Sequence, residues 1–310
     1  MIINHVMSNT VYSGIFNSII GYFKSYSDED VLIIESVKPI ENADVYHYHR
    51  PNLENDILYN SVMTVHHDLE DNDSWFVMDN FIEKYKKAKK IVCLNTIQEK
   101  ILHKRGIYHT VVIPHGYNDE IFFPKRLNFN SERKIKILIT SKRYGRRVKG
   151  EGYLLELIKY LDPNCVEFIL VGEGRLQDRE MFDKFGFQTK IYEYLPYSMF
   201  GNLYNSIDFL MMTSFYEGGP ANIPEAIASG TPIICNPIGM ARDMVEDGFN
   251  GIYLTMNVEN DQERLNNIFY NHNQVVRYLN NASSKKSIKK AITWRESIHR
   301  NNLIYKELAE

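Results

Sequence analysis

Short, largely apolar stretches of β-type composition recur along this chain, and segments of helical pattern separate them. The candidate strands are Val31–Glu35, Val62–His66, Ile91–Leu94, Val111–Pro114, Ile135–Thr140, Phe168–Val171, Ile207–Met212 and Pro232–Cys235. Strands that are apolar on both faces must be covered on both faces, which is the condition of a parallel sheet between helices. The expected class is therefore α/β, with doubly wound sheets. A length of 310 residues gives room for two such domains. The stretch from Pro124 to Arg133 is polar and lacks periodicity, so it marks a boundary. Domains are expected at 1–125 and 126–290, followed by a helical segment over 291–310.

Composition narrows the functional classes. Hydrophobic residues make up 44% and charged residues 24%, the balance of a soluble globular protein. A net charge of −3 gives no general attraction to nucleic acid or to anionic lipid. Cys93, Cys165 and Cys235 lie far apart, in or beside apolar runs. That pattern reads as buried thiols in a reducing compartment, not as a disulfide or metal set. The N-terminal residues lack the basic and apolar regions of a signal peptide, and no run reaches the length of a membrane helix. A cytoplasmic protein is expected.

The densest functional signal is Phe215 to Cys235, FYEGGPANIPEAIASGTPIIC. A strand-like run leads into Glu217, Gly218, Gly219, Pro220 and Ala221. A helical pattern carrying Glu225 follows, and then a second strand. A strand–loop–helix unit aims free backbone N–H groups at whatever lies over the loop, which suits an anion. The flanking acids suit hydroxyls instead. Together they describe a pocket for a sugar attached to a phosphate.

This segment resembles the E-x7-E signature of the retaining glycosyltransferases of family 4, which have the GT-B fold. The resemblance covers nearly the whole chain, strongly in the second half and loosely in the first. It implies two Rossmann-like domains facing across a cleft, with a last helix that crosses back to the first domain. It implies further that Glu217 lies near the transferred sugar and that Glu225 holds the ribose of a nucleotide-diphosphate sugar. Val112 to Pro124 matches the family through Pro114, Gly116, Phe123 and Pro124, and reads as a structural turn. Ile137 to Gly150 ends in Lys149-Gly150, where the family holds the diphosphate with a lysine and a second basic residue. Arg143 is taken as that second cation and Lys142 as its competitor. Fixed cations there would stabilise the charge that grows on the leaving diphosphate. Gly172 and Gly174 resemble the nucleotide-side loop, and the family's proline is replaced by Arg175, which suggests an added phosphate or solvent contact. Tyr194 to Tyr197 falls where the base is held through backbone groups.

The first domain is expected to contribute His66, from a T-x-H element that ends a strand, with His67 and Asp68 as competitors. Ser13-Gly14 resembles the family's glycine loop near the phosphates. Asp71-Asn72-Asp73 spells a metal-binding D-x-D but sits in a polar loop, so no metal is assigned. Lys84, Lys86, Lys87, Lys89 and Lys90 are expected to form a basic helical face suited to anionic lipid or to solvent. The reading is a metal-independent, retaining transfer from a UDP- or GDP-sugar to a glycan or lipid-linked acceptor, as in bacterial surface polysaccharide synthesis. It needs no cofactor. The alternatives are an enzyme acting on modified DNA bases, which the short first domain allows, and a nucleotide-sugar-binding module without turnover.

Overall fold

A computed structural model describes residues 1–7, 14–124, 129–130 and 132–310. Ser13 therefore lies outside the described residues, and Gly14 is the first residue of a helix, Gly14–Tyr26. The chain divides into two compact units. Unit 1 comprises Met1–Gly116, Glu217–Pro220 and Ile292–Glu310, and unit 2 comprises Tyr117–Tyr216 and Ala221–Ala291.

Unit 1 is built on six strands: β1 (Ile2–Val6), β2 (Leu32–Ser36), β3 (Val45–Tyr48), β4 (Ser61–Val65), β5 (Lys90–Cys93) and β6 (Thr110–Val112). They lie in the order β2-β1-β3-β4-β5-β6, all parallel. Both faces of the sheet are covered. One face buries Met63, Val65, Tyr85, Ile91, Cys93 and Leu102. The other buries Ile3, Val45, Val62 and Val92 under Ile19 and Phe23 of the first helix and under the last helix, Trp294–Ala309. That last helix starts at a threonine cap, where Thr293 Oγ1 accepts the N–H of Glu296 at 3.2 Å. Its Trp294 ring stacks on Tyr22 at 4.8 Å. Gly116 has no alternative beneath it, because a Cβ there would lie 2.3 Å from the Trp294 backbone nitrogen.

Unit 2 repeats the principle with β7 (Ile135–Thr140), β8 (Val166–Val171), β9 (Thr189–Tyr192), β10 (Phe209–Met212), β11 (Ile233–Cys235) and β12 (Gly251–Tyr253). The order is β12-β11-β10-β7-β8-β9, again parallel throughout. Numbered within the unit, this is the 3-2-1-4-5-6 winding of a dinucleotide-binding sheet.

The division departs from the sequence-based one at two places. Residues 117–124 group with unit 2, because Phe122 is buried there against the rings of Tyr197 and Tyr204. Gly201 also leaves no room for a side chain above the Ile121 carbonyl. The segment Glu217–Pro220 groups with unit 1 for reasons given below.

The expected basic face requires correction. The helix spans only Ile82–Lys87, and Lys90 already belongs to β5. Each lysine has a partner in the same chain. Lys84 reaches the Glu54 carbonyl, Lys86 pairs with Glu83 and Lys87 with Asp56, Lys89 sits on the Tyr59 ring, and Lys90 faces Glu307 at 3.5 Å.

Candidate functional site

Ligands of doubly wound sheets bind outside the carboxyl ends of the strands, where the winding reverses. In unit 2 that point lies between β7 and β10. The two sequence segments with the strongest signals, Ser141–Gly150 and the run that leads to Glu225, follow these two strands.

After β7 the chain turns back beneath β10. Gly150 has φ +74°, and a Cβ there would lie 1.9 Å from the Thr213 carbonyl oxygen, so only glycine fits. Thr213 Oγ1 donates to the Lys149 carbonyl at 2.8 Å, and the Phe215 N–H donates to the Val148 carbonyl at 2.8 Å. These bonds fix the backbone that carries Lys149. The Lys149 and Lys142 ammonium groups lie 5.4 and 4.9 Å from the centre of one ring, Tyr144.

Arg143 is held differently. Its guanidinium pairs with Asp178, whose other oxygen takes Arg175 at 2.9 Å. Arg175 is fully buried, and its remaining nitrogens donate to Ser141 O and Ser141 Oγ, both at 2.6 Å. The expectation that Arg175 faces a phosphate or solvent is therefore overturned. Its size and its carboxylate partner place it inside, where it ties the loop after β8 to the loop after β7. The glycines of the G-x-G serve the same packing. At Gly172, φ +143°, a Cβ would meet the Ser141 backbone at 2.6 Å, and Gly174 lies against the Arg143 side chain.

Glu225 sits in the short helix Asn222–Ala228, on its inward face. Tyr197 Oη donates to Glu225 Oε1 at 2.8 Å and Tyr204 Oη to Oε2 at 3.3 Å. Burial pushes the carboxyl up to about 7, and the two hydroxyls pull it the other way. Tyr197 was expected to act through its backbone. Its side chain has a task of its own besides, on Glu225, and Tyr194 is exposed. Tyr204 carried no signal in the sequence, because a tyrosine in a short apolar helix reads as core.

In unit 1, Glu217, Gly218, Gly219 and Pro220 are seated over the ends of β4, β5 and β6. The Glu217 N–H donates to Asp68 Oδ2 at 3.2 Å. Asn95 Nδ2 donates to the Gly218 carbonyl at 2.8 Å. His115 Nδ1 donates to the Gly219 carbonyl at 3.1 Å. A Cβ on Gly218 would lie 2.5 Å from the His66 carbonyl, and one on Gly219 would lie 2.4 Å from the Leu94 side chain. Both glycines are thus required by close approach, and the loop that carries Glu217 rests on the backbone of His66. The two candidates of this unit are brought together.

His66 itself hydrogen-bonds His49 Nδ1 through Nε2 at 2.9 Å and meets the Phe16 ring edge-on at 4.7 Å. Its competitors have other tasks. His67 stacks on Phe81 at 4.2 Å, and Asp68 caps its own loop through the Glu70 N–H at 3.0 Å. Burial lowers His67 and His115 to about 4, although Asp71 raises the first and the Gly219 carbonyl the second. His115 lies in the turn to which the sequence assigned no chemistry. Asp71 and Asp73 each accept a backbone N–H two residues ahead, at 3.0 and 2.9 Å, so the D-x-D works as loop caps. Among the described residues, no helix is long and apolar enough to cross a membrane.

Comparison with known proteins agrees with this geometry. The curated glycosyltransferase MJ1178 of Methanocaldococcus jannaschii, itself uncharacterized, is 23% identical over 228 residues, 72% of this chain and 61% of its own length. A second protein of that organism, MJ1607, is 23% identical over 181 residues, 54% of this chain and 45% of its own length. The chain thus spans between about half and three-fifths of these curated relatives. Sucrose-phosphate synthase from Thermosynechococcus elongatus superposes with a TM-score of 0.75 over 99% of both chains, at 14% identity. Anabaena Alr3699/HepE, solved with UDP and glucose, superposes with a TM-score of 0.72 over 99% of this chain and all of its own, at 14% identity. At such identities the likeness speaks for the fold alone, and that fold is GT-B. The family model described as glycosyl transferases group 1 matches residues 121–293, more than half of the chain. The chain belongs to the group 1 glycosyl transferases.

Proposed function

We propose that the protein transfers a sugar from a nucleotide-diphosphate sugar to an acceptor hydroxyl with retention at the anomeric carbon, as family 4 enzymes do, and without a metal ion. The observation that carries this reading is Glu225. It is a buried carboxylate, held by two tyrosine hydroxyls at the reversal point of a dinucleotide-type sheet. Such a group suits the paired hydroxyls of a ribose. Lys149, on its fixed backbone, is assigned to the diphosphate. Arg143 is the second cation, because Arg175 already offsets the charge of Asp178 and the trio remains positive. Lys142, which shares the Tyr144 ring with Lys149, competes for that role. Glu217 and His66 are assigned to the transferred sugar.

In the reaction the bond between the anomeric carbon and the phosphate oxygen breaks, and a bond to the acceptor oxygen forms. The acceptor proton passes to the leaving diphosphate. Charge grows on that diphosphate, so fixed cations and pre-positioning supply the catalysis. The complex of HepE with UDP and glucose makes UDP-sugars the first donors to test. A glycan or lipid-linked acceptor of surface polysaccharide synthesis is the class to try first. The free thiols Cys93, Cys165 and Cys235 support a reducing, cytoplasmic setting. The test is nucleotide release from a panel of UDP-, GDP- and ADP-sugars, with calorimetry of the bare nucleotides. We expect release from at least one donor. We also expect Glu225→Ala to weaken that nucleotide's binding by about 10- to 150-fold, the value of a hydrogen bond to a charged group. Unchanged affinity in that variant, or no release from any donor, contradicts the reading.

A further inference from the structure

Unit 1 holds a row of three histidines, of which the proposed function uses only His66. His5 Nδ1 lies 2.8 Å from His49 Nε2, and His49 Nδ1 lies 2.9 Å from His66 Nε2. The row starts on β1, passes the residue after β3 and ends at the residue after β4. His5 and His49 are buried. Burial, and after it the charge of neighbouring groups (His49 acting on His5 and His66, His115 and Arg50 on His49), hold all three imidazoles below their ordinary range, with His49 at about 3, so each ring is neutral.

A neutral imidazole has one N–H and one lone pair. Two proton patterns therefore satisfy both bonds. In the first, His5 donates to His49 and His49 donates to His66, so His66 accepts at Nε2 and carries its proton on Nδ1. In the second, every bond is reversed, and His66 carries its proton on Nε2. The patterns differ at the buried end. His5 Nε2 is enclosed and meets no hydrogen-bond partner among the described residues. The first pattern leaves a lone pair there, the second an N–H. Orphaned buried N–H groups are rarer than under-used acceptors. The neighbouring His115 makes the same choice under a firmer constraint. Its Nδ1 faces the Gly219 carbonyl, which only accepts, and its enclosed Nε2 is left as an unpaired lone pair.

We infer that His5 and His49 are positioning residues that lock His66 in the Nδ1–H tautomer, so that the ring presents a hydrogen-bond donor at Nδ1. The lock itself rests on the hydrogen-bond geometry of the row and on the neutrality of its buried rings. Its use in catalysis rests on the assignment of His66 proposed above. Among the described residues the inner end of the row, at His5 Nε2, has no acceptor to deliver a proton to, so the row does not read as a proton wire. Nor do the rings suit a metal ion, although the ligand atoms of His5, His47 and His49 lie within 4.8 Å of one another. His5 Nδ1 and His49 Nε2 are already engaged with each other at 2.8 Å, and His49 Nδ1 with His66. Both nitrogens of His47 are also taken, by Tyr305 Oη at 2.5 Å and Thr64 Oγ1 at 2.7 Å.

The experiment is long-range ¹H–¹⁵N NMR of the histidine side chains in the full chain, with His66 assigned by comparison with a His66→Gln variant. Wild-type His66 should show the Nδ1–H form, against the preference of free histidine for Nε2–H. An Nε2–H signal in the wild type overturns the lock without any need for a variant. His49→Leu should release His66 to the Nε2–H form. His49→Asn, whose amide nitrogen stands where Nδ1–H stood, should keep it locked. An unchanged tautomer in His49→Leu also overturns the lock. The kinetic arm separates this inference from the function on which it draws. Losing one oriented donor should lower kcat by about 10²-fold in His49→Leu with KM little changed, and His49→Asn should restore it. A tautomer that changes while kcat does not leaves the lock standing and overturns the catalytic assignment of His66.

Discussion

Glu225 offers the most quantitative handle on the account. Its carboxyl is raised from the ordinary 4.5 to about 7, chiefly by burial. The sign follows from linkage. Between these two values the folded chain holds a proton that the unfolded chain has released, so stability falls as pH rises through the window. Below pH 4.5 both states are protonated and the penalty vanishes. Above pH 7 it is complete, at about 3 kcal/mol for a rise of this size. Glu225→Gln keeps the shape and the tyrosine contacts but cannot ionise. The difference in stability between variant and wild type should therefore move toward the variant by about 2–3 kcal/mol between pH 5 and pH 8.5, whatever fixed offset the amide brings. At roughly 2–4 °C per kcal/mol for a unit of this size, the two melting temperatures should diverge by about 4–12 °C. Thermal melts of both proteins over that pH range are the assay, and all other titrating groups cancel in the difference. Nucleotide binding should add a second signature. Ribose hydroxyls donate best to the ionised carboxylate, so binding near pH 6.5 should release a proton, seen by calorimetry in buffers of different ionisation enthalpy. A difference in melting temperature that stays flat with pH would refute the buried-carboxyl argument.

The remaining predictions concern the cations and the loops. Lys149→Ala should lower kcat by about 10²–10³-fold, the loss of one fixed donor at a developing charge, while Lys149→Arg restores it only in part. A wild-type rate for the alanine variant removes Lys149 from the diphosphate. Arg143→Ala and Lys142→Ala, assayed side by side, should differ, with the larger loss in Arg143→Ala; the reverse order assigns the second cation to Lys142. Gly150→Ala forces a Cβ against the Thr213 carbonyl and should destabilise unit 2 by more than about 1 kcal/mol in urea unfolding, and an unchanged midpoint would contradict the close approach. Transfer should survive excess EDTA; loss of activity that manganese or magnesium restores would return Asp71 and Asp73 to a metal site.

The legibility of the fold in the sequence depended on how buried each strand is. The central strands β4, β7, β8 and β10 are apolar runs and were read within a residue or two. Strands β3, Val45–Tyr48, and β9, Thr189–Tyr192, were missed, because VYHY and TKIY carry polar residues that break an apolar run. In β3 the polar residue is His47, buried between two hydroxyls, and a sequence shows a histidine but not its partners. The glycine pattern marked Gly150, Gly172, Gly218 and Gly219 correctly as special positions, but not the reason. Gly150, Gly172 and Gly218 are places where another backbone comes too close for a Cβ, and at Gly219 the Leu94 side chain does. Arg175 misled for the opposite reason, since a charged residue in a glycine loop reads as solvent-facing until Asp178 is found beneath it. Tyr204, Asn95 and His115 act on the candidate residues through contacts 21, 123 and 104 positions away in the chain, which no local pattern encodes.

The central claim is retaining transfer from a nucleotide-diphosphate sugar. It is tested most directly by the stereochemistry of the sugar released when a turned-over α-linked donor is given water as its acceptor. Rapid ¹H NMR of the anomeric proton, recorded before mutarotation, reads the first anomer formed. The account predicts the α-anomer first, equilibrating later to the mixture. A β-anomer first, with the same enzyme and donor, would contradict retention and with it the assignment of Glu217 and Glu225 to a family 4 site.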